Sequence, residues 1–232
     1  MKIFAHISWL IATFFIFLGL TLSILIFHLV PEPYGPKISS WFIRLSIFFS
    51  TKVEGKEHPE TQMLLMNHQS DLDIIVMETI SKKNLAWVAK KELFDIPFFG
   101  LSLKFPQDIP VERQSKTSLI TLLKDVKHRL SLGKTITIFP EGTRSTKGKI
   151  LPFKSGAKII ADKYQLRVQP VVLIQTAKYY NIKKFYYKPG QIKVIFLESF
   201  IADKKNPEWL NELRIKMQKV YDNELTNNPS HR

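Results

Sequence analysis

The chain has 232 residues, enough for one sizeable core, and 45% of them are hydrophobic, which leaves apolar sequence beyond what a globular domain needs. Its formal charge of +14, from 34 lysines and arginines against 20 acids, calls for an anionic partner: nucleic acid, or an acidic lipid surface with anionic substrates. Cysteine is absent, so disulfides, thiolate metal ligands and a cysteine acyl-enzyme are excluded.

The N-terminus selects lipid over nucleic acid. Ile7 to Val30 carries no charged residue over 24 positions. As a helix this run spans about 36 Å, more than the ~30 Å hydrocarbon core, so it is expected to be membrane-embedded. It is too long for a removable leader, whose apolar stretch is ~7–15 residues and ends at a small-residue cleavage site. Pro31-Glu32-Pro33-Tyr34-Gly35-Pro36 breaks the helix, and Ile38 to Phe49 resumes with Trp41, Phe42, Leu45, Phe48 and Phe49 around Arg44. That second segment is amphipathic and too short to cross. A hairpin dipping into one leaflet and a single span are both open. For a span, Lys37, Arg44, Lys52 and Lys56 after the run, against Lys2 before it, favour a cytoplasmic catalytic domain. The expected organisation is therefore an anchor over 1–50 and a catalytic domain over 51–232.

Thr61 to Met66 reads as a short buried strand running into the polar loop Asn67-His68-Gln69-Ser70-Asp71-Leu72-Asp73. Ile74, Ile75, Met77, Glu78 and Ile80 then follow a helical pattern that Asp71 is placed to cap. His68 thus falls on the loop and Asp73 in the first helical turn. If Asp73 accepts from one ring nitrogen, the other can take a proton from a hydroxyl, the base-and-orienter logic of a triad without its serine. No Gly-x-Ser-x-Gly elbow is present, so the nucleophile would be the substrate's own hydroxyl. The alternative is that His68 closes a turn and Asp73 caps a helix.

Ser115 to Leu132 is the clearest soluble helix, with Leu119, Leu122, Leu123, Val126 and Leu130 on one face, Ser115 at its start and Gly133 at its end. Lys134 to Phe139 alternates as a strand and delivers Glu141-Gly142-Thr143-Arg144 at its end, where ligands bind in open α/β sheets. The arginine fork suits a phosphate, and Gly142 lets backbone approach closely. An internal ion pair between Glu141 and Arg144 is the competing reading. Downstream, Ser155 to Tyr164 is helical, Arg167 to Ile174 and Gln191 to Leu197 are strands, and Asn206-Pro207-Glu208 opens a last helix with Leu210, Leu213, Met217 and Val220 inward. Strands and helices alternating from residue 61 predict an α/β fold with a mixed sheet and flanking helices. Lys178 to Lys188 mixes lysines with Tyr179, Tyr180, Phe185, Tyr186 and Tyr187, which fits either a lipid headgroup zone or a solvated hairpin. Glycine spacing rules out a nucleotide loop, and no zinc ligand set is present, so no metal or cofactor is expected.

Asn67-His68-Gln69-Ser70 with Asp73, then Phe139-Pro140-Glu141-Gly142-Thr143-Arg144-Ser145, resembles the glycerolipid acyltransferase family. Asp108-Ile109-Pro110-Val111-Glu112-Arg113 is similar to its second motif, with Glu112 where aspartate is commoner, and Val168-Gln169-Pro170-Val171-Val172 to its fourth. The resemblance covers roughly residues 50 to 200. It implies transfer of a fatty acyl group from acyl-CoA or acyl-carrier protein to lysophosphatidic acid, giving phosphatidic acid. His68 and Asp73 would be catalytic, and Arg113, Glu141, Gly142, Thr143 and Arg144 would hold the acceptor. Lys90 or Lys91 is a candidate oxyanion donor. Membrane lipids rather than nucleic acid are the expected surroundings, at the cytoplasmic side of a bacterial inner membrane.

Overall fold

A computed structural model describes residues 2–30, 49–112, 116–145, 148–181 and 184–227. The long apolar run forms helix α1 (Lys2–Leu29). Strands β1 (Phe49–Glu54) and β2 (Met63–Met66) lead to α2 (Leu72–Ile80) and β3 (Leu85–Lys90). A short helix α3 (Leu101–Lys104), β4 (Ile109–Val111), α4 (Lys116–Ser131) and β5 (Thr135–Ile138) follow. The chain continues through α5 (Ser155–Tyr164), β6 (Arg167–Ile174), the two-residue strands β7 (Tyr180–Asn181) and β8 (Tyr186–Tyr187), and β9 (Gly190–Phe196). Strand β10 (Phe200–Ile201) and helix α6 (Trp209–Asn227) end the described part.

Seven strands lie in the order β1-β9-β6-β2-β5-β3-β4, and β10 adds to one edge of β6. The stretch from β6 to β4 is parallel, whereas β9 runs antiparallel to β6. β2, β5 and β6 therefore end on the same side, and their C-terminal loops converge there. The four residues of β2 and of β5 are all buried, as expected of strands covered on both faces.

One face of the sheet is covered by α4, α5 and α6, through Leu122, Val126, Ile160, Leu213 and Met217 among others. The predicted leucine stripe of α4 and the inward positions of α6 fall on this side, with Trp209 and Tyr221 added to the latter. α4 closes at Gly133, which sits at φ +71 and donates to the Leu130 carbonyl. The opposite face carries Leu72, Val76 and Met77 of α2, and on it Trp9, Ala12 and Ile16 of α1. Thus α1 lies against the catalytic domain rather than apart from it, packing on β8 and α3.

Two expectations need revision. Phe49 is the first residue of β1, which pairs with β9 from Phe49 opposite Gly190 onward, so the sheet begins before residue 51. The alternation Ser50-Thr51-Lys52-Val53-Glu54 is polar because β1 is an edge strand with a solvated side. The rest of the expected second anchor helix, residues 38–48, lies outside the described residues, as does the Ser115 cap.

Candidate active site

The site is built where β2 and β5 end. The Asn67 side chain continues the β2 to β6 ladder: its amide donates to the Leu173 carbonyl at 2.9 Å, and its carbonyl oxygen accepts from the Leu173 N–H at 2.8 Å. This holds the chain rigid up to the residue before His68. His68 Nδ1 then meets Asp73 Oδ2 at 2.8 Å. Asp73 is fully buried, in the first turn of α2 as the spacing predicts. The same Oδ2 accepts the Gln69 and Ser70 N–H groups at 2.6 and 2.9 Å, and Oδ1 accepts the Thr176 hydroxyl. Asp73 is thus acceptor on both oxygens, which leaves the hydrogen shared with His68 on Nδ1 and the lone pair on Nε2.

The imidazole stacks on Phe139, ring centroids 3.9 Å apart and planes 14° from parallel, and Phe139 stacks in turn on Trp87. Trp87 is pinned at both ends: its indole N–H donates to Glu78 at 2.6 Å and its backbone N–H to Asp108 at 2.8 Å. The ring plane of His68 is therefore fixed by a packed aromatic column as well as by Asp73.

Glu141 holds the peptide of His68. One carboxylate oxygen accepts the His68 N–H and the other the Leu151 N–H, both at 2.7 Å, with the side chain buried. Burial pushes the Glu141 carboxyl up, against the pull of those two donors. Ser145 N–H closes the clamp by donating to the His68 carbonyl at 2.8 Å. Between them, Gly142 sits at φ +66, and a Cβ there would meet the Lys154 side chain at 3.1 Å. Thr143 and Arg144 are exposed on the same turn.

Arg144 pairs with Asp71, Nη1 to Oδ2 2.5 Å, and not with Glu141. Asp71 correspondingly makes no side-chain cap on α2; its carboxylate is taken by Arg144, while Asp73 and Ser70 occupy the N–H groups of that turn. Lys90 and Lys91 lie at the C-terminal end of β3, half-exposed, with Lys90 on Glu92 at 2.9 Å and Lys91 on Glu112 at 3.5 Å. Arg113 lies outside the described residues. Sequence reasoning passed over Asn67, Phe139, Ser145 and Thr176 as parts of the site. Beside the His68 loop, a cleft of about 510 Å³ is lined by Gln69, Gln175, Lys178, Lys184 and Tyr221 among others. The side-chain oxygens of Gln69 and Gln175 are buried without a partner, two acceptors suited to a ligand N–H or O–H. No cluster of acids and histidines suited to a metal occurs among the described residues.

A buried carboxylate, an oriented imidazole with one free nitrogen and an arginine on the adjoining turn define a base-assisted transfer site for an anionic substrate. An acyltransferase family model matches residues 50–174, a span that contains every one of these groups. The 1-acyl-sn-glycerol-3-phosphate acyltransferase of Helicobacter pylori is 44% identical over 161 residues, 69% of this chain and 68% of that protein. The human 1-acyl-sn-glycerol-3-phosphate acyltransferase beta is 30% identical over 169 residues, covering 70% of this chain and 61% of its own length. The crystal structure of PlsC, the acyltransferase of 1-acyl-sn-glycerophosphate from Thermotoga maritima, shares the fold with a TM-score of 0.74 at 24% identity, over 97% of this chain and 96% of that one. The chain belongs to the acyltransferase family.

Proposed function

We propose that the protein transfers a fatty acyl group from an acyl thioester, acyl-CoA or acyl-carrier protein, to the sn-2 hydroxyl of 1-acylglycerol 3-phosphate, giving phosphatidic acid. The names of the Helicobacter and human relatives support the acceptor. The observation that carries the chemistry is the 2.8 Å contact of His68 Nδ1 with a buried Asp73 that two N–H groups and a hydroxyl already hold in place.

In this reading His68 Nε2 takes the proton of the acceptor hydroxyl as its oxygen attacks the thioester carbonyl. Asp73 stabilises the imidazolium that forms. Collapse of the tetrahedral intermediate breaks the C–S bond, and the proton on Nε2 passes to the departing sulfur. The ester and free thiol are the products, with the base restored. Arg144 and Arg113 neutralise the acceptor phosphate, Gly142 and Thr143 present backbone to it, and Lys90 and Lys91 are the side chains nearest in the sheet to serve the oxyanion. No cofactor beyond the thioester enters the scheme.

The same reading places the protein on a membrane, at the cytoplasmic face of a bacterial inner membrane, with the acceptor arriving from the bilayer. Its support is the apolar stretch Ile7–Ile26 of α1, of mean hydropathy 2.4. Because Trp9, Ala12 and Ile16 pack on the catalytic domain, α1 fits a helix lying in one leaflet better than one crossing it.

The test offers purified protein a panel of lysolipids and glycerol 3-phosphate with acyl-CoA or acyl-carrier protein, with products identified by mass. Phosphatidic acid from lysophosphatidic acid, lost in His68→Ala, is the expected result. Acylation of another acceptor in preference would replace the substrate but keep the chemistry.

A further inference from the structure

α1 leaves Leu10, Ile11, Phe14, Phe17 and Leu18 exposed along one stripe, while its other side packs on the domain. Two elements flank it, α3 and the β7–β8 hairpin. Each presents an exposed phenylalanine at a turn. Phe98, just before α3, is 82% exposed, and Phe185, just before β8, is 52% exposed.

Both have left-handed backbone, φ 60 and 48, a conformation that costs a bulky residue roughly 1–3 kcal/mol. Packing of the two rings into the core does not explain it. The turn at Phe98 is tightly closed: Gly100 N–H donates to the Ile96 carbonyl at 2.8 Å, and a Cβ on Gly100 would lie 2.1 Å from the Phe94 carbonyl oxygen. Ile96 and Leu101 are exposed beside it. Phe185 packs edge-on to Trp9 of α1, ring centroids 4.9 Å apart, so the hairpin tip is tied to the helix. Exposed lysines follow each tip, Lys104 after the first and Lys184 and Lys188 around the second. Apolar tips backed by lysines match the acyl chains and phosphates of an anionic leaflet at successive depths.

We propose that Phe98 and Phe185 are membrane wedges of the catalytic domain, inserted on either side of α1 into the leaflet that α1 occupies. With α1 they make three points of support, which fix tilt and depth. Since α1 and the His68–Phe139 stack share one face of the sheet, this arrangement turns the dyad toward the lipid that supplies the acceptor. The inference rests on the membrane placement proposed above and adds the part played by the catalytic domain.

The absence of cysteine allows Phe98→Cys, Phe185→Cys and, as controls on the opposite face, Ile120→Cys and Ile215→Cys to carry single thiols in the full chain. Each is labelled with an environment-sensitive fluorophore and bound to vesicles of equal parts phosphatidylglycerol and phosphatidylethanolamine, with nitroxides on the lipid acyl chains. Labels at 98 and 185 should shift to the blue and be quenched by the nitroxides, and labels at 120 and 215 should do neither. Quenching at only one of the two positions, or at neither while the protein remains bound, overturns the proposal and leaves the anchor reading standing. A blue shift without lipid quenching at both sites would also overturn it, since a second copy of the chain would then cover the tips. Failure of the unsubstituted protein to float with the vesicles would sink the membrane placement itself.

Discussion

The Glu141 carboxylate accepts the backbone N–H of His68 at 2.7 Å, across 73 residues of chain. The acid of the second motif thus sets the position of the base in the first through the main chain. Replacing Glu141 by Ala orphans the His68 and Leu151 N–H groups together, at about 1–3 kcal/mol each. The expected outcome is a kcat lowered at least about tenfold with a smaller change in the KM for the acceptor, and a lower melting temperature. Glu141→Gln keeps one acceptor and should fall between the two. An acceptor KM that rises as steeply as kcat falls would make Glu141 a substrate ligand instead.

The dyad separates by graded substitution. His68→Ala should remove turnover, and Asp73→Asn should cost ~10³–10⁴ in rate by presenting the wrong tautomer, as in triad enzymes. Thr176→Val removes one of the donors to Asp73 and leaves the Nδ1 contact in place, so a loss of about tenfold is expected, confined to kcat. Steady-state kinetics of the three variants check this; a His68→Ala variant retaining more than about a tenth of activity while chemistry limits the rate would rule out the base.

His68, Asp73 and the turn at Gly142 were legible because each motif is contiguous and its chemistry is local. What the sequence did not disclose is who holds them. Thr176 reaches Asp73 from 103 residues away and Asn67 reaches Leu173 from 106, distances at which no periodicity operates. Asp71 and Arg144 each had a nearer and simpler partner on paper, a helix N-terminus for one and Glu141 for the other. Tertiary placement of the second loop over the first joined them to each other. The α/β class and the faces of α4 and α6 followed from alternation and 3.6-residue spacing, whereas the edge strand β1 was hidden by its polar positions.

Two acids off the dyad govern pH stability. Burial pushes both Glu78 and Asp108 up, Asp108 well above the usual carboxylate range, and their mutual repulsion adds to the shift of Asp108. A raised folded-state value means that the fold favours the protonated form. Its contribution is complete below the ordinary carboxylate value of about 4 and is lost as pH rises through the raised values. Asp108→Asn keeps an oxygen for the Trp87 N–H while removing the charge. The variant should melt above wild type at about pH 8 and approach it toward about pH 4, read by thermal unfolding in detergent. A constant offset across that range would assign the effect to packing.

Arg144 is already paired before any substrate arrives, with Asp71 at 2.5 Å and both side chains partly exposed. A surface pair of this kind contributes ~0–1 kcal/mol to stability, so its loss should leave the fold intact. Its effect on binding is larger, because an acceptor phosphate must displace Asp71 or share the guanidinium with it. Arg144→Ala should therefore weaken acceptor binding by about 1.5–3 kcal/mol, a rise of roughly 10- to 150-fold in KM where KM reports binding. Asp71→Asn should act in the opposite sense, lowering the acceptor KM by freeing the guanidinium and removing a like charge from the phosphate site. The pair is read by acceptor titrations at saturating thioester, with the thioester KM measured alongside. If Asp71→Asn raised the acceptor KM as Arg144→Ala does, the ion pair would be a structural strut rather than a latched phosphate clamp, and a shift confined to the thioester KM would move Arg144 to the donor side.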